Sequence, residues 1–439
     1  MKAAAGQITF ALLAFGGAVL SARLLGPSGK GALAAWMLLA TLAPVLLAGS
    51  VPVGLGRAYL SGRRDQVVRS MVRHGLVTAA GCSAASVIAG VAGVDPLGLV
   101  IFVVVCIPFG VIYLDFYMVA QAAKLPWLYH AGRIAGGAVY TLGLTVIAVL
   151  HVSRPQHLIW MIYAAGIAGS TVAVLIVCGR RFGAAPGLGL REASDKGRRS
   201  LWLLALDLIV LRLDQYVVLS IVGTGGLGVY GVAVNWSEIT KYFGDAFGQA
   251  VFEDEATLDN ASARRILRRV TTSLTGISVL VALSGFLLIP YVFGQGFAGA
   301  RWAVLLLAPG LVARGAFHVA SSILLGRGRA ADAARITGIV AVGAVVVWII
   351  TTALFGINGT AFASSAVYFA QAVMIFGALM GPRTPSSSAP GIRYVNVSGG
   401  PGRLVWNGAA DSLGGIGVRI WISGPSAGRA GSESGGRAG

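Results

Sequence analysis

Along the first 380 positions apolar residues neither alternate nor keep to one helical face. They come in nearly unbroken runs of about 20 residues, the length a helix needs to cross a bilayer. Twelve runs are read, at 7–25, 31–56, 71–93, 97–121, 126–150, 157–178, 201–222, 226–252, 270–293, 302–324, 332–355 and 357–380. Connections are short except at 179–200 and 253–269. The pattern predicts an all-α integral membrane protein of about 12 transmembrane helices. The first run has Lys2 ahead of it and "LSA" near its end, as a secretory signal does. Eleven further runs and the continuing "RLLGPSGKG" turn favour a first transmembrane helix.

Composition agrees with the pattern: 56% of residues are hydrophobic and 11% charged, against about a quarter charged in soluble domains. Sixty-three glycines in 439 residues suit closely packed membrane helices. The net charge of +18 would elsewhere point to nucleic acid, but its placement gives another reading. Loops after even-numbered runs carry nineteen Lys or Arg, from Arg57 to Arg335, whereas loops after odd-numbered runs carry four: Arg23, Lys30, Arg154 and Arg301. Cytoplasmic loops attract basic residues, so both termini are expected in the cytoplasm and no nucleic-acid partner is expected. Cys82, Cys106 and Cys178 sit inside apolar runs without a C-x-x-C pair, which reads as packing rather than disulfides or metal.

After Gly381 the chain turns rich in Pro, Ser and Gly, as a disordered cytoplasmic tail would. Within it "RYVNVS" and "VRIWIS" have the makings of paired strands, and Asn396-Val397-Ser398 is a chance sequon on that side of the membrane.

"LLGPSGKGALA" (24–34) resembles a phosphate loop, but a Walker motif needs four residues between its first Gly and a Gly-Lys pair, then Ser or Thr. Here Leu24 and Gly31 occupy the deciding positions. The spacing returns in "VGTGGLGVYGVA", where Gly223, Gly226 and Gly228 match Gly26, Gly29 and Gly31. One turn joins runs 1 and 2, the other runs 7 and 8. The chain therefore reads as two parallel six-helix repeats around a central cavity, a transporter architecture with its substrate site between the halves. The divisions are an N-terminal lobe (1–180), a basic cytoplasmic linker (181–200), a C-terminal lobe (201–381) and the tail (382–439).

At these residues the chain resembles a known family. "LRLDQYVVLSIVGTGGLGVYGVA" (211–233) is similar to the seventh-helix signature of bacterial polysaccharide (O-antigen-type) flippases, within the multidrug/oligosaccharidyl-lipid/polysaccharide exporter (MOP) superfamily. "LLIPYVFGQGFAGARWAVLLLAPGLVARGAFHVASSILLGRGR" (287–329) and "FGINGTAFASSAVYF" (355–369) resemble its ninth-to-tenth helices and twelfth-helix entry. Lys30 stands where an aromatic is common, and "AVFEDEATL" lacks the proline often found there. The resemblance implies a cell (plasma or inner) membrane flippase that carries a lipid-linked oligosaccharide or polysaccharide precursor outward.

Ionisable residues inside the runs are the candidates for mechanism, since each costs about 2.5–3.5 kcal/mol at mid-bilayer. Run 7 carries Asp207, Arg212 and Asp214; run 8 carries Glu238, Lys241 and Asp245; Asp115, Arg133, Arg314 and His318 lie on runs 4, 5 and 10. At 100° per residue Asp207 and Asp214 fall within about 20° of each other, and Arg212 faces away. Asp115, Asp207, Asp214, Glu238 and Asp245 are candidates for coupling to Na+ or H+, with no other cofactor and no metal centre expected. Arg133, Arg212, Lys241, Arg314 and the border residue Arg57 are candidates to hold a pyrophosphate-linked headgroup, because guanidinium matches phosphate. The bland reading is a self-paired Glu238–Lys241–Asp245 ladder that steadies the bundle. Tyr113, Tyr117, Tyr140, Tyr230 and Trp236 are open between stacking on sugars and anchoring at the lipid interface.

Nothing supports catalysis: there is no nucleotide loop, no metal cluster, and the outer loops are a few residues long. Beside the flippase stand two alternatives. One is a multidrug or cation antiporter on the same fold. The other is a non-transporting scaffold of a glycan assembly complex, which would have no use for intramembrane charges. Expected partners are the lipid-linked glycan, membrane lipids and glycan assembly proteins.

Overall fold

The computed structural model describes residues 2–91, 94–123, 125–183, 185–252, 260–327, 329–381, 392–395 and 403–406. Its helices are α1 (Lys2–Ala48), α2 (Val51–Leu60), α3 (Val67–Val91), α4 (Pro96–Gly98), α5 (Ile107–Ala122), α6 (Pro126–Val149), α7 (Gln156–Phe182), α8 (Leu190–Phe252), α9 (Asn260–Val292), α10 (Ala300–Gly326) and α11 (Ala330–Met380). A π-helical stretch, Leu99–Cys106, runs α4 into α5. Nine helical stretches among the described residues are long and apolar enough to span a membrane. Large apolar side chains such as Leu12, Ile88, Leu280 and Val342 point outward, as they do where the solvent is hydrocarbon and only the backbone must satisfy itself. The protein is a multi-pass membrane protein.

Three of the nine stretches are too long for one crossing. Thr9–Ala48 and Ala205–Gly244 have 40 residues and Ala331–Met380 has 50; straight, they would extend about 60–75 Å against a hydrocarbon core of about 30 Å. Each breaks at a glycine in the left-handed region: Gly26 (φ 64°), Gly223 (φ 88°) and Gly356 (φ 58°). Glycine reaches that region without steric cost. At each break the chain folds back on itself, as pairs of side chains flanking the glycine show. Lys30 Nζ donates to Ser21 Oγ at 2.7 Å, and the Tyr230 hydroxyl donates to Asp214 Oδ2 at 2.6 Å. In α11 the Trp348 indole N–H donates to Ser364 Oγ at 3.0 Å, and the Thr352 and Thr360 hydroxyls meet at 2.7 Å.

The two matching glycine turns also pack on each other. A Cβ on Gly31 would lie 1.6 Å from the Thr224 carbonyl oxygen, and one on Gly228 would lie 2.0 Å from that of Pro27. In the alignment of the turns Gly31 matches Gly228 and Pro27 matches Thr224, so each half offers the other the same contact. Small residues let helix backbones meet this closely in membranes. Around the crossing, Ala18, Ala22 and Leu38 join Val218, Leu227, Tyr230, Trp236 and Phe293 in one buried cluster. Arg23 reaches across to donate to the carbonyls of Val292, at 2.7 Å, and Tyr291.

The helix expected to start near 201 starts at Leu190. Its first turns pack along α2 and its flanking residues: a Cβ on Gly54 would lie 1.8 Å from the Ala193 carbonyl oxygen, Ser50 Oγ donates to the Ser194 carbonyl at 2.7 Å, and Arg63 pairs with Glu192 at 2.6 Å. These contacts, rather than apolar composition, hold the basic segment in a helix.

Residues 1–381 form one compact unit and 382–439 another. In the second, Ile392–Val395 pairs antiparallel with Arg403–Trp406. The first strand falls in and beside "RYVNVS", but its partner is "RLVW"; "VRIWIS", the sequon and the rest of the tail lie outside the described residues.

Candidate functional site: a polar cluster on α8, α10 and α11

The α8 hairpin brings its two charged limbs together. Arg212 on the first limb pairs with Glu238 on the second at 2.9 Å. This engages the glutamate that a self-paired ladder would have joined to Lys241. Lys241 lies 5.7 Å from the Tyr242 ring and has a further partner; the Asp245 side chain lies outside the described residues.

Asp214 is buried two residues further along. Its Oδ1 accepts from the Gln215 backbone N–H at 2.8 Å. Its Oδ2 accepts from the hydroxyls of Tyr230 at 2.6 Å and Ser364 at 3.0 Å. Among the described residues no cation lies within ion-pair distance of it. Among the described residues, hydroxyl and amide donors are the groups that hydrogen-bond this carboxylate.

Asp207 has a different partner. Arg314 of α10 donates to Asp207 Oδ2 at 2.6 Å and to Gln371 Oε1 at 2.8 Å. The Arg314 side chain is 0% exposed and Asp207 is 23% exposed. The guanidinium carbon stands 5.1 Å from the Phe317 ring and 5.7 Å from the Tyr368 ring. Gln371 in turn donates to Thr337 Oγ1 at 3.3 Å. Tyr368 thus faces Arg314 and also lines a cavity with Asp214 and Glu238.

A cavity of about 20 Å³ lies in this cluster, lined by Asp214, Ser237, Glu238, Tyr368 and apolar side chains that include Leu311. That is room for one water or one small cation. The Ser237 hydroxyl and Glu238 Oε1 are buried without a hydrogen bond among the described residues, although Glu238 Oε1 keeps its ion pair to Arg212. The geometry can hold a small ion or a proton between two carboxylates and two hydroxyl groups.

The other predicted residues lie elsewhere. Asp115 of α5 is fully buried and accepts from, or shares a proton with, His74 Nδ1 of α3 at 2.8 Å. Arg133 of α6 stacks over the Phe10 ring at 3.7 Å and faces Tyr129 at 5.4 Å. Arg57 is exposed near the end of α2. Tyr230 is committed to Asp214 and Trp236 to the Val281 carbonyl at 2.9 Å, while the Tyr113 hydroxyl donates to the Tyr129 carbonyl. Reading the sequence missed His74, Ser364, Tyr368 and Gln371. Of these only His74 carried a signal, as an ionisable residue inside an apolar run.

No protein-family model matches the sequence, and no curated protein does. Solved structures match over most of the chain. The lipid II flippase MurJ in an inward closed conformation superposes with a TM-score of 0.68 at 12% identity, covering 86% of this chain and 87% of that one. An inward-facing multidrug resistance MATE family transporter of the MOP superfamily gives 0.59 at 14% identity over 86% and 98%. The chain shares the fold of these solved structures. A MOP superfamily transporter from Pyrococcus furiosus, described as having a binding pocket of reversed polarity, gives 0.54 at 13% identity over 87% and 95%. These neighbours are transporters and flippases, not enzymes. At such identities the likeness covers the fold; the polar cluster is described from this chain's own residues.

Proposed function

We propose that this protein is a flippase that moves a lipid-linked oligosaccharide or polysaccharide precursor from the cytoplasmic to the outer leaflet of the cell membrane. Counting each limb of α1, α8 and α11 as one crossing gives twelve, with both termini cytoplasmic. The two six-helix halves, joined by the basic segment after α7, alternate access to a site between them. The observation that carries this reading is the reciprocal crossing of Gly31 on Thr224 and Gly228 on Pro27. Two equivalent surfaces meeting near the outer ends form a hinge-like seal about which two lobes can rock.

Coupling to Na+ or H+ is assigned to Asp214 with Glu238 and the hydroxyls around their cavity, because these carboxylates have space beside them. Asp207 is spent on Arg314. Arg57, Arg133 and Lys241 remain the candidates for the headgroup phosphates; Arg314, with no exposed surface, is not accessible to a ligand in this conformation. The same carboxylates favour the second reading, a multidrug or cation antiporter. A scaffold of a glycan assembly complex would need none of them.

Reconstitution separates the readings. Proteoliposomes loaded with a polyprenyl-pyrophosphate-linked oligosaccharide on the inner leaflet should expose the sugar to an added glycosidase, in a manner dependent on an ion gradient. Absence of exposure together with gradient-driven efflux of a cationic dye would replace the flippase by the antiporter. Absence of both would leave the scaffold.

A further inference from the structure

A larger cavity, of about 290 Å³, shares no lining residue with the polar cluster and is formed by α9, α10 and α11. Its rim is Arg264 and Arg268 with Thr271 and Thr272, and its floor is Leu267, Ala316, Ala320, Ala372 and Phe376. The two guanidinium groups stand one helical turn apart on α9 and are exposed. Like charges at that spacing repel, and among the described residues no carboxylate pairs with either. Within α9 and α10 the sequence holds no Asp or Glu; Glu253, Asp254, Glu255 and Asp259, which precede α9, lie outside the described residues. Among the described residues Arg264 reaches only the Met380 sulfur, at 3.8 Å, a weak acceptor. Arg268 makes no side-chain hydrogen bond or ion pair among the described residues. Arg265 and Arg269 add two more positive charges on the same turns.

The helix carrying them has 33 residues, about 50 Å, and so overhangs the hydrocarbon. Its arginines lie in the first turns, before the apolar run that begins near residue 270, while the floor of the cavity is apolar. A basic rim above an apolar groove between transmembrane helices is the shape of an anionic headgroup with its chains attached.

We propose that this cavity binds an anionic glycerophospholipid of the surrounding leaflet, its phosphodiester between Arg264 and Arg268 and its acyl chain over Ala316, Ala320, Ala372 and Phe376. The lipid supplies a counter-charge to the two arginines and seals α9 against α10 and α11. Because the three helices belong to one half, a lipid seated there braces that half as a unit.

The full-length protein, purified in a neutral detergent, is titrated with phosphatidylglycerol or phosphatidylcholine, and bound lipid is read by native mass spectrometry. Phosphatidylglycerol should bind in preference. In Arg264→Gln/Arg268→Gln its apparent affinity should fall about 25-fold, from roughly fivefold for each basic residue at a membrane surface. Arg180→Gln/Arg181→Gln, which removes two exposed arginines at the end of α7, should bind as the parent does. Both variants alter exposed side chains, so unchanged thermal stability in detergent is checked first. Undiminished binding by the α9 variant, or an equal loss in the α7 variant, would overturn the site. Glycerophosphoglycerol or inorganic phosphate competing as strongly as the intact lipid would overturn the acyl groove and leave a simple anion site.

Discussion

Asp207→Asn removes a charge from the polar cluster and almost no volume. Arg314 would keep Gln371 Oε1 at 2.8 Å and the rings of Phe317 and Tyr368 but lose its carboxylate. With a side chain that is 0% exposed, it has no water to turn to. Breaking a buried ion pair from one side costs about 3–5 kcal/mol. The remaining amide and the two ring faces, each worth about 0.5–2 kcal/mol to a desolvated cation, put the cost near the lower end. About 3 kcal/mol is a factor of about 150 in the folded-to-unfolded ratio. Arg314→Gln in the same chain removes the stranded charge, so the double variant should lie within about 1 kcal/mol of the parent. The assay is equilibrium unfolding in mixed micelles on the parent, both single variants and the double variant, analysed as a mutant cycle. Asp207→Asn as stable as the parent, or a double variant no better than Asp207→Asn, would refute the assignment of this pair. Asp214→Asn is the contrast. It strands no cation, its hydroxyl partners can reorient, and it should cost only about 1–2 kcal/mol while ending any dependence of transport on the ion gradient.

Ser28 Oγ lies 3.6 Å from where a Cβ on Gly225 would stand, so Ser28→Cys/Gly225→Cys should crosslink on mild oxidation. Adding Gly31→Ala, whose methyl meets the Thr224 carbonyl, should lower the yield several-fold; Gly81→Ala, with open space around it, should not, and an undiminished yield with Gly31→Ala would deny the crossing. His74→Ala leaves Asp115 buried without its partner and should cut membrane abundance sharply, by the same roughly 3–5 kcal/mol mechanism. Asp115→Asn added to it should restore abundance, and no restoration would mean that His74 matters for packing alone. Reporter fusions after residues 66, 190, 262 and 400 should read cytoplasm, and those after 95 and 224 outside; a cytoplasmic reading at 224 would break both the orientation and the repeat.

Most of the helical framework was legible because a bilayer imposes a length. Run after run of about 20 apolar residues marks the limbs, and the breaks between runs 1 and 2, 7 and 8, and 11 and 12 fall on or beside Gly26, Gly223 and Gly356. The repeat of glycine spacing was legible for a different reason: a left-handed turn and a close crossing each exclude a side chain, so Gly26 with Gly31 and Gly223 with Gly228 leave the same trace twice. The first turns of α8 were not legible. Residues 190–200 are polar and basic, and what makes them helical is Gly54 admitting the Ala193 carbonyl from a segment more than a hundred positions earlier.

The partners of the charges were the least legible part, and the reason lies in what a helical wheel discards. Asp207 and Asp214 share one face of α8, so the wheel treats them as one pair with one role. Seven residues are also about 10 Å along the axis, enough to carry the second carboxylate past one neighbouring helix to another. At the depth of Asp207 that neighbour is α10, with Arg314. At the depth of Asp214 it is the other limb of the hairpin, with Tyr230, and α11, with Ser364. Depth, not face, thus divides a structural ion pair from a carboxylate held by hydroxyls beside a small cavity. The two aspartates should therefore fail differently when neutralised, Asp207 in folding and Asp214 in coupling. A single experiment on each, scored for abundance and for gradient dependence, reads that difference directly.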